Sequence, residues 1–225
     1  ASLDEPVAQL MNHGFRALRQ GAYTVEDIRA LRAQQIYLVP VLDGAGCLRR
    51  VADLRTDRSI LPLDAVIMAG GRGERLRPLT DAVPKPLLPV GGKPIIEHNV
   101  DRLISFGVRN MSITVKYLGE QLEAFFGDGT AKGARIAYTR EDAPLGTMGA
   151  LALVDNFEHD TVLVMNSDLL TDIDFEDFFA SFQASGAEMA VASVPYSVPV
   201  PYAVLEVDDE RILSFKEKPT YTYYS

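Results

Sequence analysis

From Asp64 onward, short apolar runs alternate with longer amphipathic stretches, and this alternation constrains the fold more than any other feature. The strand candidates are Asp64–Met68, Met111–Val115, Ala134–Thr139, Thr161–Met165 and Glu188–Val194. Between them lie helix candidates at Pro94–Phe106, Leu118–Phe126 and Met148–Asn156, with a further one at Phe175–Ser185. Pro94 suits a first helical turn and Gly107 suits a stop. Alternation of this kind predicts an α/β fold: a Rossmann-like, mostly parallel sheet with helices on both faces. Ligands of such sheets sit beyond the carboxyl ends of the strands. The last stretch, Tyr202–Val207, Asp208–Glu210 and Ile212–Glu217, reads as a β-hairpin.

The first strand candidate runs into Met-Ala-Gly-Gly-Arg-Gly-Glu-Arg-Leu-Arg-Pro-Leu-Thr and then Pro84-Lys-Pro86. Glycines let backbone N–H groups approach an anion, while Arg and Lys add fixed charge. Between Gly70 and Lys93 stand Arg72, Arg75, Arg77, Lys85 and Lys93, against Glu74 and Asp81. The whole chain carries a formal charge of −9. A locally basic loop in an acidic protein points to a small anionic ligand and away from nucleic acid. Leu76 stands where a dinucleotide fingerprint needs its third glycine. Gly92-Lys93 is followed by Pro94, which excludes a Walker loop, and the partner motifs of a kinase glycine loop are absent from the sequence.

Residues 1–61 form a different block. Thr24-Val-Glu-Asp27 is a capping-box pattern, with Val25, Ile28 and Leu31 at helical spacing. Ile36–Leu42 and Cys47–Ala52 read as strands around the turn Asp43–Gly46. Arg55–Pro62 reads as a linker, so the expected domains are 1–61 and 62–225. The single cysteine, Cys47, excludes an internal disulfide and fits a reducing, cytoplasmic setting. No apolar run approaches the roughly 20 residues of a membrane helix, so no membrane partner is expected. His13, His98 and His159 share no metal-ligand spacing.

Several motifs together carry a family resemblance: Ala69–Leu76, Pro78-Leu-Thr80, Pro84-Lys-Pro86, Gly92–Glu97, Pro144–Ala150, Asn166-Ser-Asp168 and Glu217-Lys-Pro219. In this order the chain resembles the sugar-phosphate nucleotidyltransferases, in particular those of the mannose-1-phosphate guanylyltransferase type, over about Asp64 to Tyr224. The resemblance implies attack of a sugar 1-phosphate on the α-phosphate of a nucleoside triphosphate, with release of pyrophosphate. It implies Ala69, Gly70, Gly71 and Gly73 as nucleotide-binding backbone, Arg75 as a triphosphate clamp and Lys85 as a point charge near the reacting phosphates. Asp168 would hold Mg²⁺ at the end of its strand. Glu141 and Gly146 match the base-reading positions. A carboxylate there accepts hydrogen bonds only, which suits the paired donors of guanine, so GTP is expected over UTP or dTTP. Glu217 would meet sugar hydroxyls and Lys218 the sugar phosphate. The family pattern continues beyond the last motif matched here, with a second metal carboxylate, so the resemblance also implies a C-terminally truncated domain. A non-catalytic nucleotide-binding or regulatory homologue is the alternative.

The first block resembles a single CBS motif, from Val7–Asn12 through Leu38–Asp43. Such motifs work in pairs that bind adenine nucleotides, so a partner is expected from another subunit, giving a homo-oligomer, or from sequence upstream; the alternative is a packing module with no ligand. Fusions of this kind resemble bacterial enzymes that activate sugars for surface glycans.

Overall fold

In a computed structural model, residues 12, 14–141, 149–155 and 157–224 are described. The chain divides into two compact units, Ala1–Ala180 and Ser181–Ser225. No helix among the described residues is long and apolar enough to cross a membrane.

The first unit opens with a small three-stranded sheet. Strand β1 (Leu18–Arg19) runs parallel to β2 (Leu38–Leu42), which pairs antiparallel with β3 (Leu48–Asp53). Helix α1 (Val25–Ala33) starts at the expected capping box: the Thr24 hydroxyl accepts from Asp27 N, and the Asp27 carboxylate accepts from Thr24 N. Ile28, Leu31, Val39, Val41 and Ala52 form its own small core. Strand β1 lies too close in length to a turn to announce itself by periodicity.

The larger sheet follows. Its strands are β4 (Asp64–Met68), β7 (Asn110–Val115), β8 (Arg135–Arg140) and β9 (Val162–Asn166), in the order β8-β7-β4-β9, all parallel. The short hairpin β5 (Pro89–Val90) and β6 (Lys93–Pro94) precedes helix α2 (Ile95–Ser105), and α3 (Gly119–Phe126) connects β7 to β8. Ala65, Ile67, Met111, Ile113 and Ile136 share one sheet face and pack with Ile96, Val100 and Leu103 of α2, Leu122 and Phe126 of α3, and Phe175 and Phe179 of α4 (Phe175–Ser185). Val66, Ser112 and Thr114 on the opposite face are buried too, so both faces are covered, as unbroken apolar strands require. Gly107 ends α2 at φ +80°, and a Cβ there would lie 2.6 Å from Ile60 Cα, so only glycine fits the turn and the approach. Arg29 ties α1 to α4 through Glu176 and Asp177, at 2.8 and 2.6 Å. The segment expected as a linker is bonded in: Leu61 N donates to Phe106 O at 2.9 Å and Arg109 pairs with Asp57 at 3.3 Å.

The second unit holds two antiparallel pairs, β10 (Pro195–Pro199) with β13 (Thr220–Tyr224), and β11 (Val204–Asp208) with β12 (Arg211–Lys216). The inner pair is the expected hairpin. Glu188–Val194 corrects an expectation: it is exposed and irregular, and among the described residues it pairs with no strand, without which an apolar run gains no ladder. Of the expected helix Met148–Asn156, Gly149 is helical, Ala150–Leu153 is a 3₁₀ turn, and Met148 and Asn156 lie outside the described residues.

Candidate active site

With every strand parallel, all four carboxyl ends meet along one edge. β7 and β8 lie on one side of β4 and β9 on the other, which places the reversal of strand order between β4 and β9. Backbone bonds carry the order past the strand ends: Ala69 N donates to Thr114 O at 3.0 Å, Ser167 N to Met68 O at 3.1 Å, and Glu141 N to Val115 O at 3.0 Å. The glycine loop, Glu141 and Asp168 therefore leave the sheet side by side.

The loop after β4 is shaped by close approaches. A Cβ on Gly70 would lie 3.0 Å from Glu141 Oε1, so glycine is what lets that carboxylate sit against the loop backbone. Gly73 has φ +65°, and a Cβ there would press within 3.0 Å of both Thr80 and Lys85. Buried Thr80 donates from its hydroxyl to Gly73 O at 3.0 Å, closing the loop on itself. The guanidinium of Arg72 lies 5.8 Å from the Tyr117 ring centroid, Tyr117 donates to Asp81 O at 3.1 Å, and Gln121 to Ala82 O at 2.9 Å. The start of α3 thus holds the returning arm of the loop.

Lys85 and Asp168, 83 positions apart, form an ion pair. Both side chains are about one-third exposed, at 37% and 32%, so a ligand has access to both charges. Pro84 and Pro86 on either side of Lys85 are buried, which anchors the backbone and leaves the ammonium at the edge. Arg75 lies in the 3₁₀ turn Glu74–Leu76, exposed and without an ion pair among the described residues. Its neighbour Arg77 takes Asp81 instead, at 3.3 Å. Ala69 is buried and Gly71 has open space around it. Gly146 lies outside the described residues. Glu217 and Lys218 belong to the second unit, exposed between β12 and β13, with Lys218 at φ +44°.

Sequence reasoning missed Thr80, Tyr117, Gln121 and the buried Asn99, which donates to Ser167 O at 3.0 Å. Thr80 stood inside a quoted motif, but nothing in the order of residues says which carbonyl a side chain reaches. A hard divalent cation bound mainly through phosphate oxygens and water needs only one or two protein carboxylates. Asp168 offers one, and among the described residues no group of three metal-ligating side chains is present. That donor set fits Mg²⁺ brought with a nucleotide and does not form an all-protein cage.

The described nucleotidyl transferase family matches residues 64–223. Mannose-1-phosphate guanylyltransferase of Mycobacterium tuberculosis is 36% identical over 158 residues, which cover 69% of this chain and 44% of that protein. N-acetylmuramate α-1-phosphate uridylyltransferase of Neisseria meningitidis is 46% identical over 127 residues, 56% of this chain and 54% of that one. The crystal structure of HddC from Yersinia pseudotuberculosis superposes with a TM-score of 0.54 at 26% identity, covering 72% of each chain. The chain spans about half the length of the curated relatives it matches.

Proposed function

The chain belongs to the nucleotidyl transferase family, and from that premise we propose that it joins a nucleoside triphosphate to a sugar 1-phosphate. A phosphate oxygen of the sugar 1-phosphate attacks the α-phosphorus, the bond to the bridging α–β oxygen breaks, and pyrophosphate leaves. The observation that carries the reading is the Lys85–Asp168 pair beside the glycine loop at the switch point of the sheet.

Two polyanions must be brought together, so positioning and charge stabilisation supply most of the catalysis. Backbone groups of Ala69, Gly70, Gly71 and Gly73 hold the nucleotide and its phosphates. Arg75, unpaired among the described residues, is free to turn its planar fork to the triphosphate. Lys85, paired with Asp168 beside the glycine loop, offers its ammonium as a point charge to the reacting phosphates. Asp168 would hold Mg²⁺, which when bound neutralises phosphate charge in the transition state. Glu217 and Lys218 are assigned to the sugar hydroxyls and sugar phosphate.

The relatives include guanylyl- and uridylyltransferases, so the base is argued from this chain alone. Glu141 beside Gly70 offers acceptors only, which match guanine N1–H and its 2-amino group and mismatch the mixed edge of uracil or thymine. GTP is therefore the proposed donor and an NDP-sugar for glycan synthesis the product.

Pyrophosphate release, measured with GTP, UTP and dTTP against a panel of sugar 1-phosphates, tests the reading. Turnover fastest with GTP is expected. Nucleotide binding with no release for any pair would replace it with a binding or regulatory role.

A further inference from the structure

Asp168 stands on the turn that leaves β9, where no ladder partner fixes the backbone. Helix α2 reaches that turn twice. Asn99 Nδ2 donates to the Ser167 carbonyl at 3.0 Å, and Arg102 Nη2 donates to the Ile173 carbonyl. Residues three apart share a helix face, so one face of α2 holds both ends of the segment 167–173. The Ser167 carbonyl belongs to the same planar peptide unit as the N–H of Asp168. Ser167 N is held from the other side by Met68 O at 3.1 Å. Ser167 is thus held on both sides, by its N–H in the preceding peptide and by its carbonyl in the peptide entering Asp168, and this limits the direction of the Cα–Cβ bond that aims the carboxylate.

Packing does not account for the residue type at position 99. Asn99 is 2% exposed, and its helical neighbours Ile96, Val100 and Leu103 are fully buried apolar side chains. A leucine of similar size would suit such a place at no desolvation cost, whereas an amide is tolerated only when bonded.

We propose that Asn99 is a positioning residue that sets the aim of Asp168 toward the metal and phosphates. This rests on the role given to Asp168 above. Supporting partners one step removed from a metal or a reacting group typically shift affinity or activity by about 10–100-fold.

The test replaces Asn99 by leucine in the intact protein and reads two signals. One is steady-state turnover with GTP and a sugar 1-phosphate. The other is the ¹³C resonance of the Asp168 carboxyl in the ligand-free protein, assigned by its loss in Asp168→Asn. Asn99→Leu is expected to lower kcat by about tenfold, with KM for both substrates changed less than about twofold, and to move the Asp168 resonance. A folded variant with unchanged kcat and an unmoved resonance overturns the proposal, even if its Tm falls. If the parent protein itself releases no pyrophosphate, the catalytic reading fails, while the resonance still decides whether Asn99 orients Asp168. Should Asn99→Leu not fold, Asn99→Ser, too short to reach the carbonyl, is read in the same way.

Discussion

Two aspartates mark the two ends of the same parallel sheet, and they are treated in opposite ways. Asp64 opens β4 at the amino edge, 1% exposed. Its carboxylate accepts from Asn110 Nδ2 at 3.0 Å, from Glu158 N at 2.6 Å, from His159 N at 3.0 Å, and has His159 Nδ1 at 2.9 Å. Asp168 follows β9 at the carboxyl edge, one-third exposed, with the Lys85 ammonium its one ion-pair partner among the described residues. Every acceptor position of Asp64 is spent on knitting β4, β7 and the entry to β9. Asp168 keeps lone pairs for something else. The proposed division between a structural and a chemical carboxylate is thus one of satisfaction: which one still has bonds to make.

The comparison breaks first if activity does not follow it. Asp168→Ala and Arg75→Ala should each lower turnover by on the order of 10²–10³, as for the loss of one transition-state stabiliser. Neither should lower stability by more than about 1 kcal/mol, since both groups are at the surface. Steady-state kinetics and thermal melts on the same samples check this, and near-full activity in both variants would overturn the assignment.

Asp64→Ala should do the reverse. It strands a buried amide, an imidazole and two backbone N–H groups, at a cost of roughly 3 kcal/mol in unfolding free energy. The kcat of the fraction that remains folded should match the parent. pH sharpens the point. Burial works to raise the Asp64 pKa, but the hydrogen bonds from His159, Asn110 and Glu158 outweigh it and hold it below the ordinary carboxylate value. A depressed folded-state pKa gives stability that is fully present above the unfolded value of about 3.9 and is lost as pH falls through the folded value. Denaturant melts from pH 6 downward should therefore show an acid slope below about pH 4 that is shallower in Asp64→Asn. Equal slopes would mean that Asp64 does not carry the linkage.

The same contrast separates what could be read in the chain from what could not. The strand at Asp64–Met68, the loop after it, Lys85 between prolines and Asp168 at a strand end were all legible, because each is a local pattern placed by a global rule about parallel sheets. Strand Asp64–Met68 and helix Phe175–Ser185 were bounded to the residue. Asp174 caps the first turn of α4, accepting from Glu176 N and Asp177 N. Asp64 was read only as the first residue of a strand, since its partners lie 46 and 94 to 95 positions away. Tyr117 and Asn99 were hidden for the same reason, with partners 36 and 68 positions away, whereas Thr80 reaches a carbonyl only 7 positions back that the order of residues does not single out. Glu188–Val194 failed in the other direction: local β-propensity was present, but a strand is defined by a neighbour, and propensity does not supply one.

The smallest effect tests the finest claim. Glu141 lies between the two aspartates in character: it is partly buried, leaning on Gly70, yet still able to accept. If it reads guanine, Glu141→Gln replaces one acceptor by a donor that faces the N1–H or 2-amino group of the base. Losing one such hydrogen bond costs about 1–2 kcal/mol, so kcat/KM for GTP should fall by about 5- to 30-fold. The same glutamine can pair with the mixed edge of uracil, so UTP should hold or gain, and the ratio of the two specificity constants is the quantity to measure. A general fall for both nucleotides would instead make Glu141 a structural prop of the glycine loop, because Gly70 feels its removal whichever base is bound. An unchanged ratio with unchanged rates would place it with the solvent-facing carboxylates and leave base choice to other residues.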